Sequence, residues 1–159
     1  MTQQQADTDV RVSVDVNAPI ERTFQVFTER VASWWPATYR LGDSDWTDVL
    51  IEPRVGGRWY EHAQDGKDCD WGRVLEWDPP NHVALSWQIG VRFEAQSDSE
   101  LASRVDVRFV AEGSDRTTVT LVHSDFEKHG PGWEGMRAGV AHEGGWPGIL
   151  QAFAETAAK

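Results

Sequence analysis

Two strands of this chain carry the residues that could do chemistry. In Arg58-Trp59-Tyr60-Glu61-His62, period-2 alternation puts Trp59 and Glu61 on one face. In the next apolar run the same alternation groups Cys69, Trp71, Arg73 and Leu75. The turn between them contains Asp65-Gly66, the strongest hairpin signal in the chain. Whether Glu61 shares a face with Trp71 depends on that turn. A two- or four-residue loop pairs Glu61 with Asp70, and an odd-length loop pairs it with Trp71. The odd loop is preferred, because two directly opposed carboxylates repel. A one-residue slip would turn a whole strand over.

In the preferred register Glu61 lies among Trp59, Trp71 and Trp87. Desolvation there raises a carboxyl pKa unless Arg73 or His123 pairs with it. Glu61 then reads either as a polar anchor or general acid/base in an apolar site, or as half of a cross-strand ion pair beside the core. His123 shares a strand face with Val119 and Leu121, where a core histidine is the commoner outcome and an acid/base role the rarer. Cys69 stands between Asp68 and Asp70, which disfavours a reactive thiolate. The histidines at 62, 82, 123, 129 and 142 show no metal-ligand spacing, and no phosphate loop or nucleophile elbow is present. No cofactor is expected.

These residues need a scaffold, and most of the chain supplies strands. Val10, Val12, Val14 and Val16 alternate with polar residues as a half-buried first strand. Asn17-Ala18-Pro19 opens a helix with a cap-like residue and a first-turn proline, placing Ile20, Phe24 and Phe27 on one face. A short second helix is predicted over 29–35, ended by Pro36. Strands follow over 46–52, 58–62, 70–77 and 82–89. A last hairpin, 104–111 with 117–124, matches the face of Val105, Val107 and Phe109 to that of Val119, Leu121 and His123. The segment 125–141 is glycine-rich, with one helical turn around Trp133 to Met136. A closing helix carries Trp146, Ile149, Leu150 and Phe153 at i, i+3, i+4 and i+7, with Pro147 in its first turn. Strands in a run with helices at either end make an α+β plan, helices on one face of an antiparallel sheet.

The 159 residues fit one domain over 10–159 after a polar, disordered head at 1–9. A net charge of −11 argues against nucleic acid and against an anionic membrane surface. One cysteine excludes an intrachain disulfide and fits a reducing compartment. With no signal-like or membrane-spanning run, the cytoplasm is the expected location. Nine tryptophans in one small domain point to a ligand site with aromatic walls.

Five motifs come in a recognisable order: Ala18-Pro19, Trp34-Trp35-Pro36, Arg54 to Trp59, Gly72 to Glu76 with Asp78-Pro79-Pro80, and His142 to Trp146. Together they resemble the START-like (SRPBCC) superfamily, in the branch of bacterial homologues of the heat-shock protein 90 ATPase activator. The resemblance implies a helix-grip fold, a curved antiparallel sheet around a long C-terminal helix with a cavity between them. Members bind lipids, polyketides and other hydrophobic molecules, and some are cyclases or aromatases. The family has no universal catalytic set. His142 matches a family position, for which a structural role is expected.

The expected function is binding of a small hydrophobic or aromatic molecule between sheet and closing helix. Trp35, Trp59, Trp71 and Trp87 would be the walls, Glu61, Arg73 and His123 the polar contacts, and Phe109, Trp146, Leu150 and Phe153 the remaining lining. The alternatives are a cyclase- or hydrolase-type enzyme using Glu61 or His123, and a co-chaperone-like interaction module with a protein partner or a second copy of itself.

Overall fold

The computed structural model describes residues 8–159. The head expected at 1–9 lies outside the described residues except for Thr8 and Asp9. Their carbonyls accept hydrogen bonds from the Arg137 guanidinium at 2.6 and 3.2 Å.

Seven strands form one antiparallel, curved sheet: β1 (Val10–Val16), β2 (Trp46–Ile51), β3 (Arg58–Ala63), β4 (Asp68–Asp78), β5 (His82–Trp87), β6 (Ser103–Ala111) and β7 (Thr117–Ser124). Their spatial order is β1-β7-β6-β5-β4-β3-β2, so β1 and β2 are the two edges. Helix α1 (Ile20–Glu29) and a 3-10 turn (Val31–Ser33) carry the chain from one edge to the other. Helix α2 (Trp133–Ala141) and the closing α3 (Trp146–Ala157) complete the layer. This is the expected helix-grip plan.

The closing helix starts where Pro147 predicts, in its first turn, where the missing amide has no helical partner to lose. Trp146, Ile149, Leu150 and Phe153 are all buried, so the stripe read from their spacing faces the sheet. Three local expectations change. Pro19 is itself the N-cap of α1, and among the described residues no side chain caps that helix; the Thr23 hydroxyl donates back to the Pro19 carbonyl at 2.8 Å. The helix expected over 29–35 is only a 3-10 turn. The single turn expected near Trp133 extends to nine residues as α2.

The β3–β4 hairpin closes through an odd loop of three residues, Gln64-Asp65-Gly66, with Gly66 at φ +86°. It pairs Glu61 with Cys69, two positions short of Trp71. A bulge then intervenes: Tyr60 faces Asp70 and Trp59 faces Gly72, leaving Trp71 as the extra residue. Only glycine fits after it, since a Cβ on Gly72 would sit 1.8 Å from the Ser86 carbonyl oxygen. The bulge resets the alternation, so the grouping of Trp71 with Arg73 and Leu75 fails. Trp71 and Val74 are buried, whereas Arg73 turns to Asp70 at 3.0 Å and Leu75 is exposed.

Candidate functional site

The interior between sheet and helices is solid at one end and hollow at the other. At the solid end Phe27 meets Trp34, Phe109 and Phe153 with ring centroids 4.9, 5.7 and 5.2 Å apart. Offset and edge-on contacts of this kind fill space completely. At the other end lies a cavity of about 470 Å³, within the range of small-molecule sites. Trp35, Trp71 and Trp87 form one wall, with Ile89 and Ile149 beside them. Tyr39, Arg40, Phe93 and His142 also line it, and each comes from a loop or a helix end.

Three of the expected contacts, Trp35, Trp71 and Trp87, therefore line the cavity. Trp59 stands behind them, edge-on to Trp35 and Trp71 at 6.2 and 5.4 Å and tilted against Trp87 at 5.9 Å. Arg73 does not line it, because the bulge puts its side chain on the opposite face. Phe109, Leu150 and Phe153 belong to the packed interior, Phe109 and Phe153 at its solid end. Trp146 is buried against Trp35 and Trp87 at 5.8 and 5.5 Å, again behind the lining.

Glu61 is fully buried, yet it neither pairs with an arginine nor lines the cavity. Its Oε1 accepts from the Leu41 amide at 2.7 Å and from the Trp71 indole at 2.8 Å, and its Oε2 accepts from the Gly42 amide at 3.0 Å. Three convergent donors satisfy the carboxylate without a counter-ion. They also pin the 38–45 loop to the sheet and fix the Trp71 ring. The same loop is held by Trp46, whose indole donates to the Tyr39 carbonyl, and by the Tyr39 hydroxyl, which donates to the Gly144 carbonyl at 2.7 Å. Glu61 is thus an anchor for the cavity's rim. Next to it, burial and then the Glu61 and Asp70 carboxylates push the Cys69 thiol above its ordinary pKa.

His123 is also fully buried and stacks on Phe126 at 4.2 Å. The Trp146 indole can only donate, so its 3.0 Å contact makes His123 Nδ1 an acceptor. In the neutral ring Nε2 then carries the proton and donates to Ser103 Oγ at 2.7 Å. The Ser103 hydroxyl in turn donates to His129 Nε2 at 2.7 Å. Burial, and secondarily His129, hold the His123 pKa well below 6.5, so the ring stays neutral in the folded protein. Its two nitrogens are committed within the core, and it is absent from the cavity lining.

The indole N–H groups differ in their partners. Trp34, Trp46, Trp71 and Trp146 each donate to a protein acceptor. Trp35, Trp59 and Trp87 are buried with no partner for theirs among the described residues. Two of these three rings form the cavity wall. Among the described residues no cluster of His, Cys, Asp or Glu could hold a metal ion, and no helix is long and apolar enough to cross a membrane.

The sequence model of the family described as Activator of Hsp90 ATPase homolog 1-like protein matches residues 17–158. The chain belongs to that family. Among solved structures it is 40% identical to an anthrahydroquino-gamma-pyrone synthase, Txn09, over 92% of this chain and 95% of that one, with a TM-score of 0.66. It is 28% identical to CalC, a self-sacrificing resistance protein from Micromonospora echinospora, over 94% and 93%, with a TM-score of 0.67. The Aha1 dimer from Colwellia psychrerythraea shares the fold at 14% identity, over 94% and 96%, with a TM-score of 0.62. No curated protein sequence matches the chain.

Proposed function

We propose that the chain binds a flat aromatic molecule in the cavity beside Trp35, Trp71 and Trp87. The observation that carries this reading is the three-indole wall on a cavity of about 470 Å³. Aromatic faces favour offset or edge-on contact with another ring, about 0.5–1.5 kcal/mol per pair beyond simple burial. The 40% identity to Txn09, described as a synthase, supports a small-molecule role. An interaction module would instead predict an exposed apolar patch and no sizeable cavity.

The test is quenching of tryptophan emission by anthracene, with energy transfer into its own fluorescence. Saturable transfer is expected, and Trp87→Ala should weaken it roughly tenfold, the loss of about 1.4 kcal/mol of contact. Transfer that stays linear with concentration, here and across a panel of polycyclic aromatics, would remove the reading.

The 40% identity to a pyrone-forming synthase favours a second reading, in which the bound molecule undergoes ring closure. Any acid or base would then come from the cavity's own polar side chains, Tyr39 or His142. Glu61 and His123 lie outside the lining with their polar atoms hydrogen-bonded within the protein, which favours Tyr39 and His142 for that part. Incubation with an anthrahydroquinone bearing an open side chain should yield a pyrone product by mass and absorbance; binding without conversion would leave the first reading alone.

A further inference from the structure

The chain carries 26 acidic residues against 15 basic ones, yet among the described residues no carboxylate lines the cavity. Its one charged lining residue is Arg40. The guanidinium spends Nη1 on Asp45 at 2.9 Å and Nε on the Gly42 carbonyl at 3.3 Å, and Nη2 has no partner among the described residues. Both members of that pair are solvent-exposed, at 36% and 67% of their side chains, so Asp45 competes only weakly for Arg40.

His142 adds a second donor. The Gly144 amide donates to its Nδ1 at 3.2 Å, which puts the proton of the neutral ring on Nε2. That N–H, on an exposed side chain, has no acceptor among the described residues. The two segments are tied together by the Tyr39 hydroxyl on the Gly144 carbonyl. Buried further in, Trp35 and Trp87 contribute indole rings whose N–H groups also lack acceptors among the described residues. The uncommitted polar groups of this cavity's charged and aromatic-nitrogen side chains are therefore donors. A cationic ligand would find no carboxylate there and would meet the Arg40 charge.

Resting on the aromatic-ligand reading, we infer that the ligand carries an oxyanion, a carboxylate or an ionised phenol, held by Arg40 and His142. Its aromatic body lies against the tryptophan wall. Arg40 and His142 are specificity-determining residues, selecting oxygen-bearing aromatics over bare hydrocarbons of the same shape.

Two probes of matched shape, 9-anthracenecarboxylate and anthracene, separate this inference from the reading beneath it. Both are titrated by tryptophan quenching against the unaltered protein, Arg40→Met, His142→Phe and Asp45→Asn, with circular dichroism to verify each fold. Arg40→Met should weaken the carboxylate roughly tenfold and leave anthracene within about twofold, as expected for losing one charged hydrogen bond. His142→Phe should act in the same direction. Asp45→Asn should tighten the carboxylate by about twofold, because it releases Arg40 from a weak surface pair. Equal effects on both probes, or none on the carboxylate, would overturn the inference while anthracene saturation upheld the reading. If neither probe saturates the unaltered protein, both fall.

Discussion

Trp34 and Trp35 are adjacent in the chain, yet they serve different ends of the same interior. Trp34 packs against Phe27 and Phe153, and its indole donates to the Val26 carbonyl at 3.0 Å. Trp35 packs against Trp71 at 4.9 Å, lines the cavity, and leaves its N–H without an acceptor. One end is filled and satisfied, as expected where only stability matters. The other is hollow, and the N–H groups of Trp35 and Trp87 in its wall have no acceptor among the described residues. A missing acceptor does not by itself mark the lining: Trp71 stands in the wall with its N–H on Glu61, and Trp59 stands behind it with no acceptor among the described residues.

The solid end should show the largest response to substitution. Phe153→Ala should destabilise by about 3–5 kcal/mol in denaturant unfolding, since a fully buried ring leaves a cavity its neighbours cannot close. Aromatic binding measured below the transition should persist. A loss much under 1 kcal/mol would mean that this end is as loosely packed as the other.

Glu61→Gln tests the rim. The amide replaces one acceptor oxygen with a donor facing a donor, so about 2 kcal/mol of stability should be lost. Hydrogen exchange at the Leu41 and Gly42 amides should accelerate, and aromatic binding should weaken with it. Unchanged exchange at those two amides would show that Glu61 is not the loop's anchor.

The smallest effect is the pH response of the His123–Ser103–His129 chain. Burial depresses both histidines, His123 strongly and the half-buried His129 less. A depressed histidine takes up a proton in the unfolded chain before it does in the folded one. Stability should therefore fall as pH drops below about 6.5, by up to about 1.4 kcal/mol per pH unit for His123. His123→Asn should flatten that slope in urea midpoints taken between pH 5 and 7. An equal slope in the variant would assign the response to other groups.

Much of the fold was legible because its signals are periodic. Alternating valines mark β1, and the i, i+3, i+4, i+7 stripe marks the closing helix. Like-charge repulsion between Glu61 and Asp70 pointed to the odd hairpin loop. The bulge at Trp71 was not legible, since its cause is the approach of the Ser86 carbonyl to Gly72, a contact across strands. It moved Arg73 away from the site. Glu61 was read as a polar anchor or acid/base, or as half of a cross-strand ion pair, for want of its partners, the Trp71 indole and two loop amides some twenty residues back in the chain. Tyr39, Arg40 and Phe93 lie on non-periodic loops, where site residues concentrate but leave no pattern. His142 was taken as structural; its signal was the double glycine after it, which brings a backbone amide to its ring.

The most direct measurement follows the nine indole N–H resonances by nitrogen-15 NMR during titration with 9-anthracenecarboxylate. An occupied cavity predicts saturable shifts at Trp35, Trp71 and Trp87, with Trp34 unmoved at the solid end. Shifts confined to the partly exposed Trp77 and Trp133, or none at any indole while the protein remains folded, would contradict it.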